Sequence, residues 1–130
     1  MTTEARDTTT MGRVAAELRQ RSLWYKIGWG FLVLTAGITA VGHFVAPLAF
    51  APANETIMFW ALTAMSIYAM AVLVIPYRRG EPWAWWVTWI HVAIFAVVIF
   101  SAPNVGPIYL GLAVGMAGAQ LATRSAFQNS

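Results

Sequence analysis

Long apolar runs alternate with short polar connections along this chain of 130 residues. Four such runs cover residues 23–44, 56–75, 83–100 and 108–122, and their lengths approach the ~20 residues that a helix needs to cross a bilayer. Because lipid offers the backbone no hydrogen-bond partners, spanning segments of this kind are expected to be α-helices. The pattern therefore predicts an all-α membrane protein with four transmembrane helices in an up-down bundle.

The basic residues occur on one side of this pattern only. Five precede or open the first run, two lie between the second and third runs, and one follows the fourth, whereas the two remaining connections contain no Lys or Arg. Short cytoplasmic loops retain basic residues during membrane insertion, so both termini are predicted to lie in the cytoplasm. The eight residues are Arg6, Arg13, Arg19, Arg21, Lys26, Arg78, Arg79 and Arg124.

The connections carry residues that end and begin helices. Prolines occur in both non-cytoplasmic connections, residues 45–55 and 101–107, where they should terminate the preceding helices. In the cytoplasmic connection, Gly80 occurs where a left-handed C-cap is expected and Pro82 where the next helix should begin. The second and third helices should therefore form an antiparallel hairpin, as should the other adjacent pairs.

Three segments follow from these boundaries. Residues 1–22 are predicted to be a polar cytoplasmic tail with a short amphipathic juxtamembrane helix, since apolar residues repeat at helical spacing from Met11 to Leu18. Residues 23–122 are predicted to form the four-helix transmembrane domain. Residues 123–130 are expected to be a cytoplasmic C-terminal tail.

Composition excludes several classes of protein. Hydrophobic residues make up 59% of the chain and charged residues only 10%, whereas soluble domains have roughly 25% charged residues. The net charge of +3 lies beside the predicted spans, so membrane lipids rather than nucleic acid are the expected partner. The chain has no cysteine, and hence no thiolate metal site or thiol nucleophile. No metal and no resident cofactor are predicted.

Ionisable groups inside the apolar runs would be the first candidates for chemistry. The runs contain no Asp or Glu, which argues against a proton-coupled exporter of the small multidrug class, because that mechanism needs a carboxylate in the first helix. His43 and His91 remain. Counted from the starts of their runs, they lie ~30 Å and ~12 Å from the cytoplasmic edge, so that roughly 18 Å separates them in depth. This is too far for two ligands of one haem.

The two histidines therefore receive separate interpretations. His43 is expected at the outer membrane interface. His91 is interpreted as a hydrogen-bonding residue between helices. A site in which His91 alone contacts a cofactor is the alternative.

Aromatic residues crowd the predicted cytoplasmic boundary. Indole rings favour the headgroup region because the ring is apolar while its N–H needs a polar partner, so an aromatic belt is predicted, with Trp29 outside it. The members are Trp24, Tyr25, Tyr77, Trp83, Trp85, Trp86 and Trp89. The alternative is a pocket for a lipid headgroup or a quinone, with guanidinium groups holding phosphate or carbonyl oxygen. Its residues would be Arg78, Arg79, Trp83 and Trp86.

Small residues indicate faces where helices pack closely. Gly111 and Gly115 have GxxxG spacing in the fourth run, Gly118 follows them, and Gly37 lies in the first run. Such residues let helix backbones approach in lipid, where no hydrophobic force drives helices together. Packing within the bundle is one interpretation, and docking to another membrane subunit is the other.

Residues 76–86, PYRRGEPWAWW, resemble the cytoplasmic turn of small four-helix integral membrane proteins of actinobacteria and related bacteria, including DoxX-like ones. The resemblance covers about a tenth of the chain. It implies a bacterial origin and the same topology, and hence a location in the plasma (inner) membrane. It carries over no functional residue.

The predicted function is that of a non-catalytic multi-pass membrane protein, namely a structural, accessory or assembly subunit of a larger membrane complex. Its partner would be another membrane protein or a second copy of the chain. The basis is the scarcity of reactive groups in the spans together with the glycine faces. One alternative is a binder or carrier of a hydrophobic small molecule, a quinone or a lipid, at the cytoplasmic leaflet. A third is an intramembrane enzyme or haem protein that uses His91.

Overall fold

The computed structural model describes residues 23–101 and 104–127, and every regular element within them is helical. The prediction of a helix at each of the four apolar runs is confirmed. The predicted juxtamembrane helix lies outside the described residues. The elements are α1 (Leu23–Ala49), α2 (Thr56–Val72) with a π-helical turn (Leu73–Tyr77) that continues it, α3 (Pro82–Ser101), α4 (Gly106–Thr123) and a 3-10 turn (Arg124–Ala126).

Three helical segments are long and apolar enough to cross a membrane, namely α1, α3 and the continuous segment Thr56–Tyr77. They indicate a membrane protein. The shorter α4 is not among the three, and it contains four glycines and Gln120, which lower its hydropathy.

The four helices form a bundle with one loosely closed side. α1 packs along both α2 and α4, and α3 packs along α4. By contrast, α2 and α3 have few contacts along their lengths, and α3 meets the π turn at least as closely as it meets α2 itself. The largest fully buried apolar side chains, among them Leu32, Leu73, Phe95 and Met116, fill the centre. The side between α2 and α3, called the seam below, is therefore the least tightly packed side of the bundle.

The turn between the π turn and α3 has the predicted form. Gly80 has a φ of 81°, the one positive φ among the described residues, and its N–H donates to the Tyr77 carbonyl at 3.0 Å. The Glu81 N–H donates to the Pro76 carbonyl at 3.1 Å, which completes a Schellman motif. Pro82 is the first residue of α3. The predictions for Gly80 and Pro82 are confirmed. The end of the bundle that contains this turn is called the turn end below.

The predicted start of the first connection is wrong, whereas α2 begins at Thr56 as predicted. α1 does not stop at residue 44 but continues to Ala49 with Pro47 inside it. A proline in the last turn removes only one backbone N–H, and the N–H groups of Phe50 and Ala51 both donate to the Ala46 carbonyl, which closes the helix. Similarly, Pro107 lies in the first turn of α4 rather than in the connection before it.

The residues after α4 belong to the bundle as far as Phe127. The Phe127 side chain is buried, with its ring centroid 4.8 Å from that of Tyr77 and 6.5 Å from that of Tyr25. Thr123, the first residue of the predicted C-terminal tail, is the fully buried end of α4. The described part of residues 123–130 is thus packed against the helices rather than being a free tail.

Candidate functional site

A network of buried polar side chains ties three helical segments together at the turn end. The Tyr77 hydroxyl donates to Gln120 Oε1 at 2.5 Å and also hydrogen-bonds the Thr123 hydroxyl. Gln120 Nε2 donates to the Trp85 carbonyl at 3.0 Å, and Trp85 Nε1 donates back to the Gln120 carbonyl at 3.1 Å. Tyr77, Gln120 and Thr123 are each fully buried. This arrangement, the turn-end network, joins the π turn, α3 and α4.

Gln120 was absent from the sequence-based candidates. It is the only Asn or Gln within α1 to α4. A lone amide in an apolar helix must find donors and acceptors inside the protein, because lipid supplies none. This isolation is the signal in the sequence that could have identified Gln120.

Trp29 belongs to the same end of the molecule, contrary to the prediction. Its Nε1 donates to the Leu73 carbonyl at 2.9 Å, and the Arg78 guanidinium lies over its ring, 5.9 Å from the centroid. Since α1 packs antiparallel to α2, Trp29 faces the π turn.

The predicted aromatic belt divides by burial, with Trp85 and Trp89 half-buried between an exposed and a buried group. Trp24, Trp83 and Trp86 are exposed, as residues in contact with the headgroup region would be. Tyr25 and Tyr77 are buried, and the Tyr25 hydroxyl donates to the Tyr77 carbonyl at 3.2 Å. The buried tyrosines are therefore part of the bundle core rather than of a belt.

The residues of the predicted headgroup pocket have other partners. Arg78 lies over Trp29 of α1, and Trp83 Nε1 donates to Glu81 Oε2 at 2.7 Å. Trp86 makes an edge contact with Trp85. The interactions found among the described residues do not join Arg78 or Arg79 to the rings of Trp83 or Trp86. The four-residue pocket stays a prediction.

His43 is buried in the core, so the prediction that it lies at the outer interface is wrong. Its Nε2 is 2.5 Å from the Tyr109 hydroxyl, the two rings stack with a 1° interplanar angle, and its Nδ1 is 3.5 Å from Ser66 Oγ. Because α1 continues to Ala49, His43 is more than one turn from the helix end. Both ring nitrogens thus have partners on other helices.

The two histidines are also closer than the sequence count implied. The Phe95 ring centroid lies 6.4 Å from that of His43 and 4.7 Å from that of His91. The two histidine rings are therefore no more than about 11 Å apart, the sum of those distances. The predicted separation of roughly 18 Å, counted at 1.5 Å per residue, is wrong.

The assumption that α1 and α3 begin at the same depth accounts for part of this difference. Gly28 and Trp85 both lie against neighbouring residues of α4, so these two residues share a level. Gly28 is five residues into α1, whereas Trp85 is in the first turn of α3. α1 thus begins further toward the turn end, and a count from Leu23 overstates the depth of His43 relative to His91.

His91 differs from His43 in having a nitrogen without a partner. Its side chain is 4% exposed, and Nε2 is buried with no hydrogen-bond partner among the described residues. The predicted hydrogen bond between helices is therefore absent at this atom. His91 lines a cavity of about 290 Å³ at the seam, called the seam groove below, whose other walls include Met65, Val72 and Val87.

The four glycines of the predicted packing faces differ in whether the bundle leaves room for a Cβ atom. A Cβ at Gly115 would come within 2.9 Å of the Phe31 ring, and one at Gly37 within 3.0 Å of Met70 Cε, so both glycines lie at close contacts within the bundle. A Cβ at Gly111 or Gly118 would meet no atom of the described residues within 4 Å. The GxxxG pair of Gly111 and Gly115 therefore does not act as one face.

Comparison of the chain with protein-family models, curated proteins and solved structures found no match. The resemblance of the turn sequence to DoxX-like membrane proteins stays a prediction. Within residues 23–101 and 104–127, no group of three or more His, Asp or Glu side chains could hold a metal ion.

Proposed function

We propose that this protein is a multi-pass plasma-membrane protein that crosses the bilayer four times, has both termini in the cytoplasm, and serves as an accessory or assembly subunit for another membrane protein. The topology is supported by three helices that are long and apolar enough to span, and by the close packing of α4 along α1 and α3. The orientation is supported by the side of the pattern on which the basic residues occur.

The observation that carries the accessory role is the outward position of two glycines on α4. Gly111 and Gly118 are two helical turns apart, and a Cβ at either would meet open space. Val114, between them, is 66% exposed, and Leu121 is exposed as well. This surface, the α4 outer face, consists of small residues flanked by larger apolar ones. Such a surface allows the backbone of a second helix to approach closely in lipid.

A glycine that faces outward lowers the stability of its helix without improving the packing of its own bundle. Each glycine in a helix interior costs about 0.5–1 kcal/mol relative to alanine. At Gly115 that cost is offset by close packing on Phe31, because the bundle leaves no room for a Cβ. At Gly111 and Gly118 the bundle itself provides no such gain. A partner helix docked on the α4 outer face would provide it.

Crosslinking tests the proposal directly, since the natural chain contains no cysteine. A benzophenone maleimide attached at Val114→Cys should crosslink to a neighbouring membrane protein, or to a second copy, in native membranes. Val97→Cys on α3 is the matched control, because Val97 is exposed to a similar degree but lies on another helix. Equal crosslinking from both positions, or none from Val114→Cys, would contradict the proposal.

Bulky substitutions provide the second test. The double substitution Gly111→Leu and Gly118→Leu should abolish the crosslink and reduce the size of the native complex in mild detergent. Ala93→Leu, a substitution at an exposed α3 position, should leave both unchanged. If the wild-type protein is purified only as a monomer in mild detergent, an accessory role is refuted.

The orientation needs a separate measurement. Asn54 and Ser125 are exposed residues at opposite ends of the bundle. A membrane-impermeant maleimide added to intact cells should label Asn54→Cys, whereas Ser125→Cys should react only after permeabilisation. Labelling of both from the same side would refute the four-span topology.

A further inference from the structure

The seam groove is a cavity with a specific polar feature. It lies between α2 and α3, where the bundle wall is most loosely packed, and it is open on one side. Its volume of about 290 Å³ is at the lower end of the range for small-molecule sites, enough for one ring system. A cavity of this size on a membrane-facing seam is accessible to molecules dissolved in the bilayer.

The polar groups around the groove differ in what they can offer to a ligand. The Thr88 hydroxyl donates to the Ala84 carbonyl of its own helix at 2.8 Å. Tyr68 lies at the rim and is 58% exposed. Among the described residues that line the groove, only His91 combines deep burial with a nitrogen that has no hydrogen-bond partner. A buried polar atom without a hydrogen bond is costly, and this cost disappears when a ligand supplies the bond.

A second groove provides a natural comparison. It lies between α1 and α2, has a volume of about 370 Å³, and is lined by Ala40, Ile67, Met70, Ala71, Val74 and Ile75, with no polar lining surface. Lipid chains suffice to fill such a surface. The seam groove has a similar size but is lined by His91, whose Nε2 has no hydrogen-bond partner among the described residues.

We propose that the seam groove binds a lipid-soluble small molecule with an apolar ring and one hydrogen-bonding oxygen, a carbonyl or a hydroxyl, which pairs with His91 Nε2. A neutral imidazole nitrogen can donate to a carbonyl or accept from a hydroxyl, depending on its tautomer. Within the part of the chain that the structure describes, no Asp, Glu, Lys or Arg lines the groove, so an ionic ligand would lack a counter-charge. This site is separate from the α4 outer face and does not depend on partner docking.

Two probes distinguish the two oxygen chemistries. The protein is reconstituted in lipid nanodiscs and titrated by calorimetry with a short-chain alkyl naphthoquinone, which offers carbonyls, and with an alkylphenol of similar size, which offers a hydroxyl. Empty nanodiscs give the partitioning background. Saturable binding of at least one probe, with one molecule per protein, is the expected result. The probe that binds identifies the oxygen.

Variants then assign the binding to this site. His91→Leu should weaken binding by about tenfold, the loss expected for one hydrogen bond in a desolvated site. His91→Gln, which keeps a hydrogen-bonding group, should retain part of the affinity. Val87→Phe should fill the seam groove and block binding, whereas the same substitution at Val74, in the comparison groove, should leave the affinity unchanged.

The comparison of Val87→Phe with Val74→Phe tests binding at the seam groove even if the His91 variants fail to fold. Absence of saturable binding for both probes would overturn the proposal. So would wild-type affinity in a folded His91→Leu variant, or equal effects of the two Val→Phe substitutions. The crosslink from Val114→Cys should be the same in Val87→Phe as in the wild-type background, which separates failure of this site from failure of the accessory role.

Discussion

Replacing Tyr77 with Phe should measurably destabilise the bundle, although it removes only one oxygen atom. The substitution takes away the donor of Gln120 Oε1 and leaves this acceptor buried, since Gln120 is 0% exposed. A hydrogen bond between helices of a membrane protein contributes ~0.6 kcal/mol on average, whereas a buried polar group left without its partner costs about 1–3 kcal/mol. We expect the larger value, a loss of about 1–3 kcal/mol in the free energy of unfolding.

The same reasoning predicts a smaller loss for Gln120→Leu. This substitution removes both side-chain hydrogen bonds of Gln120, but the Tyr77 hydroxyl keeps its bond to Thr123. Two bonds at ~0.6 kcal/mol each give about 1.2 kcal/mol. The double variant contains no amide that could be left without a donor. Its loss in the free energy of unfolding should therefore be smaller than the sum of the two single losses, with a coupling energy of about 1 kcal/mol.

Reversible unfolding in mixed micelles of a mild detergent and dodecyl sulfate, followed by circular dichroism, measures these differences. Tyr68→Phe is the matched control, because Tyr68 is 58% exposed and lies outside the turn-end network. Its free energy of unfolding should stay close to that of the wild type. The reasoning is refuted if Tyr77→Phe is no more destabilising than Tyr68→Phe, or if the two turn-end substitutions are strictly additive.

Three further predictions concern single contacts and are checked by the same unfolding measurement. Gly28→Ala should destabilise the bundle, since its Cβ would come within 2.8 Å of an α4 backbone carbonyl. Gly30→Ala, whose Cβ would meet open space, should instead stabilise it by about 0.5–1 kcal/mol. Stability changes of the same sign in both variants would contradict the packing of α1 on α4. Gly80→Ala should cost about 1–2 kcal/mol because its φ is positive, and an unchanged stability would exclude the Schellman turn. Trp29→Phe should lose one interhelical bond of ~0.6 kcal/mol, whereas the exposed Trp24→Phe should have no comparable effect.

Local features of the fold could be predicted from the chain because their causes are local. Four apolar runs of sufficient length give four helices, since each helix satisfies its backbone hydrogen bonds internally. Gly80 and Pro82 mark the turn because only their own backbone preferences are involved. Pro47 shows the limit of such reasoning, because a proline in a final turn is compatible with helix and does not fix where the helix ends.

The candidate site was predictable only in part. His91 was a candidate because it lies inside an apolar run, but the absence of a hydrogen-bond partner at its Nε2 depends on how α2 and α3 splay at the seam. Gln120 could have been selected from its isolation in an apolar helix, yet its partners Tyr77 and Trp85 lie at sequence separations of 43 and 35 residues. No local pattern encodes a pairing at that distance.

By itself, the sequence determined the helices, the turn at Gly80 and the side on which the basic residues lie, because composition and local conformation decide these. Only the tertiary structure decided the relative depth of residues on different helices, which depends on how far one helix is shifted along another. That shift is set by side-chain fit, such as Gly28 against α4, and it is one reason why His43 lies within about 11 Å of His91. The same packing turned Gly115 inward and left Gly111 and Gly118 outside.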